Sequence, residues 1–72
     1  MTNKQIETIL TRAIETTYSK QSEEVSKKLG AVEDAVQSAK DDIDYNEVDG
    51  MTEKDAYDFY YDWALDCIES AL

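Results

Sequence analysis

The sequence predicts an all-α protein, built as a helical hairpin or a three-helix bundle. Three observations carry that expectation. The 72 residues contain no Pro and only two Gly; apolar residues recur at helical spacing through most of the chain; and strong turn chemistry is confined to Asp49-Gly50.

The first helix is expected over residues 3–20. Thr2 and Gln5 have capping-box spacing, and Ile6, Ile9, Leu10, Ala13, Ile14 and Tyr18 then form one apolar stripe. A second helix is expected over residues 22–44, where Val25, Leu29, Val32, Val36, Ala39 and Ile43 alternate four- and three-residue steps in a heptad seam suited to a bundle or coiled coil.

The junction between them is open. Ser19-Lys20-Gln21-Ser22 holds no Gly or Pro, so Ser22 before Glu23-Glu24 either caps a new helix or is passed over by one continuous rod. Such a rod over residues 3–44 extends about 60 Å at 1.5 Å per residue and demands a partner chain to cover it. Lys27-Lys28-Leu29-Gly30 offers another helix end, with cations and a Gly cap, but the heptad seam runs straight through it. Residues 44–51 form an acidic loop. Thr52 and Asp55 are placed to cap a third helix over residues 53–71, with Met51 as a hydrophobic staple opposite Ala56.

Size and charge set the functional limits. A single domain this short buries only about 60% of the surface of its unfolded chain, so a second copy or another partner is expected to complete it. The formal net charge is −10. Residues 1–32 carry four acidic and five basic side chains, whereas residues 33–72 carry thirteen acidic and two basic ones. The excess negative charge therefore belongs to the second half. With no His and one Cys, Cys67, the chain lacks the usual general base, the usual zinc ligands and any internal disulfide. No long apolar run marks a membrane span. The expectation is a soluble, cytoplasmic, non-enzymatic protein without cofactor, and one that does not bind nucleic acid directly.

The third helix concentrates the signal. At about 100° per residue, Asp55, Asp58, Asp62, Asp66 and Glu69 share an arc of about 80°. No Lys or Arg stands three or four residues after any of them, so like charges repel along the ridge. Its five carboxylates fall at roughly one per 5 Å of helix. A strand of duplex DNA carries one phosphate per about 3.4 Å of axis. Asp41, Asp42, Asp44, Glu47 and Asp49 extend the field past the helix start, and Phe59 sits beside the ridge near solvent. These eleven residues are the candidate partner-binding set, and the partner expected from their charge is a basic nucleic-acid-binding protein or nuclease complex. The plain alternative is a solvated face. On the other side, Ala56, Tyr57, Tyr60, Tyr61, Trp63, Ala64, Cys67, Ile68 and Ala71 span about 160°, wider than one docking stripe, which predicts a homodimer. Within this face, Tyr57 and Tyr61 on one flank are the better candidates for exposure, and an adaptor dimer binding through this aromatic face is the second functional reading.

A third reading is calcium. Asp42, Asp44, Asn46 and Glu53 fall at EF-hand positions 1, 3, 5 and 12, yet Glu47 occupies the position that needs Gly. Caps at Thr52 and Asp55 explain the same residues more simply.

In size, acidity and helical ridge, the chain resembles the small acidic inhibitors of phages and mobile elements, of DNA-mimic, anti-restriction and anti-CRISPR type. The resemblance is compositional, with no shared motif. It implies a protein that occupies the basic groove of a host nucleic-acid enzyme inside the host cytoplasm. Acyl carrier proteins share the size and acidity, but the Asp-Ser-Leu that bears their prosthetic group is absent.

Overall fold

A computed structural model describes residues 1–72. It contains four α-helices, α1 (Asn3–Lys20), α2 (Ser22–Lys27), α3 (Leu29–Asp41) and α4 (Glu53–Ala71), with a 3-10 turn at Tyr45–Val48 and no strand. α4 packs against α1 on one side and α3 on the other. Contacts between α1 and α4 advance together along both helices, from Ile9 beside Glu53 and Tyr57 to Lys20 beside Tyr61, so these helices run parallel. α3 runs the opposite way, with Ile43 beside Phe59 and Lys28 beside Leu72. The result is an up-down-up three-helix bundle whose middle arm is broken in two.

α1 begins as its sequence dictates. The Thr2 hydroxyl accepts from the Gln5 N–H at 3.2 Å, and the Gln5 side chain accepts from the Thr2 N–H at 2.8 Å. Two of the orphan donors at the helix start are thereby satisfied. The predicted stripe faces inward, and Thr17 joins it, buried because its hydroxyl donates to the Ile14 carbonyl at 2.7 Å.

The continuous rod is not formed. The backbone leaves helical geometry at Gln21 (φ −115°, ψ 32°), and the longest dimension of the molecule is 37 Å. Ser22 is the first residue of α2 rather than its cap, and no side chain caps that helix. The physical reason lies in α4: at 19 residues it covers only about 28 Å at 1.5 Å per residue. A straight 42-residue helix leaves Val25, Val32 and Val36 in water, whereas folding back at Gln21 buries all three around Ile68.

The second helix also differs from expectation, ending at Asp41 instead of residue 44 and breaking at Lys28 (φ −129°, ψ 35°). This break precedes Gly30, which stays right-handed; the one residue at positive φ is Gly50. Leu29 consequently swings out of the heptad seam and is 45% exposed, while Val25, Val32 and Val36 keep their places inside.

Two clusters form the core. One joins Ile6, Ile9, Leu10 and Ala13 of α1 to Ala56 and Tyr60 of α4, closed by Val48 from the acidic loop. The other surrounds Ile68. Val48 is wholly buried, so the 44–51 segment is a packed connection. Asp44 opens its 3-10 turn by accepting from the Asn46 N–H at 2.9 Å, and the Tyr45 hydroxyl donates to Glu7 on α1 at 3.3 Å. Gly50 then turns the chain at φ +89°, a conformation that L side chains rarely adopt. Thr52 caps α4 through the Asp55 N–H at 3.2 Å, with Met51 packed on the adjoining core.

Candidate partner-binding surface

The apolar arc of α4 is filled within a single chain. Toward α1, Tyr57 donates its hydroxyl to Thr16 at 2.9 Å, and the Arg12 guanidinium lies 5.9 Å from its ring centre. The Lys20 ammonium lies 5.2 Å from the Tyr61 ring centre. Toward α3, Trp63, Cys67 and Ala71 pack on the cluster around Ile68. The width that led to the expectation of a homodimer is therefore accounted for by two helices of the same molecule. Tyr57 and Tyr61, the better candidates for exposure on this face, are half-buried beneath cations of α1. Met1, Leu29 and Phe59, the large apolar residues left exposed, lie apart, before α1, on α3 and on α4.

What α4 leaves to solvent is its acidic line. Asp55, Asp58, Asp62, Asp66 and Glu69 are all exposed. The single cation near them in sequence is Lys54, four residues before Asp58, which is the weaker order for a helical ion pair. Carboxylates engaged by their own chain lie elsewhere: Glu7 with Tyr45, Asp41 with Gln37 at 3.1 Å, and Asp44 with Asn46.

The loop acids are all exposed as well, but they divide. Asp42, Asp44 and Glu47 stand around a cleft between the α3 end and α4, whose far wall is Phe59, Tyr60 and Trp63. Asp41 and Asp49 lie outside it. Phe59 is 37% exposed, as its place on the helical wheel predicts, and it sits where the ridge meets the cleft. Its ring is 5.6 Å from that of Tyr60 in an edge-on arrangement, and Tyr60 meets Trp63 in the same way at 6.3 Å. These pairs fix the aromatic wall.

Sequence reasoning missed this cleft because it set Tyr60 in the core and asked no more of it. The available signal was chemical: a buried Tyr carries a hydroxyl that needs a partner. Tyr60 is 1% exposed and its hydroxyl has none. Burial pushes its pKa up, and nearby Tyr45, Glu47 and Asp44 add to that effect, so the group is held as a neutral phenol.

The residues counted for a calcium loop are not gathered at one point in this structure. No three acidic or sulfur side chains gather as metal ligands. Asp44 is turned toward the Asn46 N–H, and Glu53 borders a different groove with Ile9, Arg12 and Tyr57. The EF-hand count matched positions along the chain, but the 3-10 turn and the cap at Thr52 send those side chains apart.

Cys67 is half-buried, and burial, reinforced by Asp66, raises its pKa. That is the reverse of the electropositive setting that activates a thiol. No helix is long and apolar enough to cross a membrane.

No protein-family model, curated protein or solved structure matches the chain.

Proposed function

We propose that this chain is a non-enzymatic acidic binding protein that occupies the basic groove of a nucleic-acid-binding protein or nuclease complex, presenting carboxylates where phosphates otherwise bind. The observation that carries the reading is the solvent-facing line Asp55, Asp58, Asp62, Asp66 and Glu69, exposed along one side of a helix whose other sides are covered. Acids on a surface are commonly no more than a solvated face. Here the chain sets like charges four residues apart without a following Lys or Arg, which lowers its own stability. A basic groove relieves that repulsion on binding, and long-range attraction speeds encounter. Asp41, Asp42, Asp44, Glu47 and Asp49 continue the field beyond the start of α4, and Phe59 adds one apolar contact beside it.

The reading requires one chain and one partner. It is tested by immobilising the native protein and an Asp58→Lys, Asp62→Lys, Asp66→Lys variant, exposing both to lysate, and eluting with a duplex oligonucleotide. Nucleic-acid-handling proteins retained by the native chain alone, and released by the duplex, are the expected result. Equal retention by the two proteins returns the ridge to a solvated face.

A further inference from the structure

The cleft beside the ridge holds a combination that neither packing nor solvation explains. Its volume is about 350 Å³. Three carboxylates, Asp42, Asp44 and Glu47, border one side and three aromatic rings the other, and no Lys or Arg of the chain lines it. Tyr60, one of the residues that line it, carries the one buried side-chain polar atom of the molecule that has no partner, its hydroxyl. A buried hydroxyl left unpaired is costly, and native structures rarely keep one without a use. Its surroundings are negative, which excludes an anion. The carboxylates do not converge as metal ligands.

An organic cation fits each feature. Between the two that proteins carry, the ammonium of Lys is a compact, strongly hydrated point charge. The guanidinium of Arg is planar, weakly hydrated, lies flat on aromatic rings and spreads five donors to several acceptors at once. A site that sets aromatic rings opposite several carboxylates suits the second. We infer that the cleft receives an arginine side chain of the basic partner, which donates N–H groups to Asp44, Glu47 and the Tyr60 hydroxyl while its plane rests against Phe59 and Trp63. This inference rests on the acidic-surface reading and adds a fixed anchor to it: the ridge supplies attraction, and the cleft supplies register.

The test is an NMR titration of the full-length, isotope-labelled protein with N-acetyl-arginine methylamide, in parallel with the lysine and citrulline analogues, at physiological salt. Saturable shifts at Asp44, Glu47, Phe59, Tyr60 and the Trp63 indole N–H are expected, several-fold tighter for arginine than for lysine and absent for citrulline, which is neutral. Tyr60→Phe removes the unpaired hydroxyl while keeping the ring, so it is expected to melt no lower than the native protein yet bind the arginine probe several-fold more weakly. Asp44→Asn is expected to weaken it as well. Equal binding of citrulline, shifts spread evenly along Asp58, Asp62 and Asp66, or a Tyr60→Phe variant with native affinity each overturns the anchor.

The ridge reading fails separately. The triple Lys variant of the ridge tests partner capture, whereas Tyr60→Phe and Asp44→Asn test the anchor. Loss of partner capture by that variant, with no arginine selectivity in the cleft, sinks the anchor alone.

Discussion

Replacing Asp62 by Lys is expected to stabilise the protein. Asp62 is exposed near the middle of α4, with Asp58 four residues before it and Asp66 four residues after. Each like-charged pair at this spacing costs about 0.3 kcal/mol, and each opposite pair contributes about as much. The substitution removes two repulsive pairs and creates two attractive ones, a swing of about 1.2 kcal/mol. Lys is also a better helix former than Asp in a helix interior, by a few tenths of a kcal/mol. The site is too far from either helix end for the macrodipole to matter. For a domain of this size the total corresponds to a rise in Tm of about 6–12 °C. Thermal unfolding followed by circular dichroism at low salt measures it directly. Adding salt should raise the native Tm more than that of the variant, because it screens repulsion in one and attraction in the other. An unchanged or lower Tm refutes the claim that the ridge is kept at a cost to stability, and with it the main argument that the carboxylates serve a partner.

Two further outcomes follow from the fold. Val48→Ala removes two methyl groups from a fully buried position, at about 0.8 kcal/mol each plus a cavity term, so a loss of about 2 kcal/mol is expected, read by urea unfolding. The same change is expected to speed amide hydrogen exchange over residues 44–49, and exchange no faster than native would show that Val48 does not anchor the loop. Stability is also expected to fall in alkali. Cys67 starts from 9.0 and Tyr18, Tyr45 and Tyr60 from 10.0, and burial is the leading cause that raises all four in the fold. Below those starting values both states hold the proton and the contribution is complete; above them the unfolded chain sheds it first, so stability is lost as pH rises through the raised folded values. Melts between pH 7 and 11 should show the decline beginning near pH 9 in the native protein and later in Cys67→Ala. A stability that holds constant to pH 11 contradicts the burial of these groups.

The helices and their inward faces were legible in the sequence wherever the signal was local. Thr2 with Gln5, Thr52 with Asp55, the Ile6-to-Tyr18 stripe and the solvent position of Phe59 each depend on residues within a turn or two of one another. What was not legible depended on distance. The sequence offered helix ends both before Ser22 and at Lys27-Lys28-Leu29-Gly30, and the chain breaks at both; that neither is passed over follows from a short α4 covering three valines, a constraint that appears only when the elements are assembled. The wide apolar arc of α4 meets two surfaces, and α1 and α3 of the same chain supply them. Of the candidate residues, the ridge was plain from helical periodicity. The cleft was hidden, since Asp42, Asp44 and Glu47 meet Tyr60 and Trp63 across a turn whose path depends on where Val48 is buried.

The ridge is tested most directly by competition. A nucleic-acid-binding protein captured by the native chain is mixed with a fluorescently labelled DNA duplex, and anisotropy is followed as unlabelled chain is added, at several salt concentrations. If the carboxylates stand in for phosphates, the native chain displaces the duplex, with an affinity that falls steeply as salt rises. The variant bearing Lys at positions 58, 62 and 66 then displaces none. Displacement by both proteins alike, or a complex in which duplex and chain remain bound together, contradicts it.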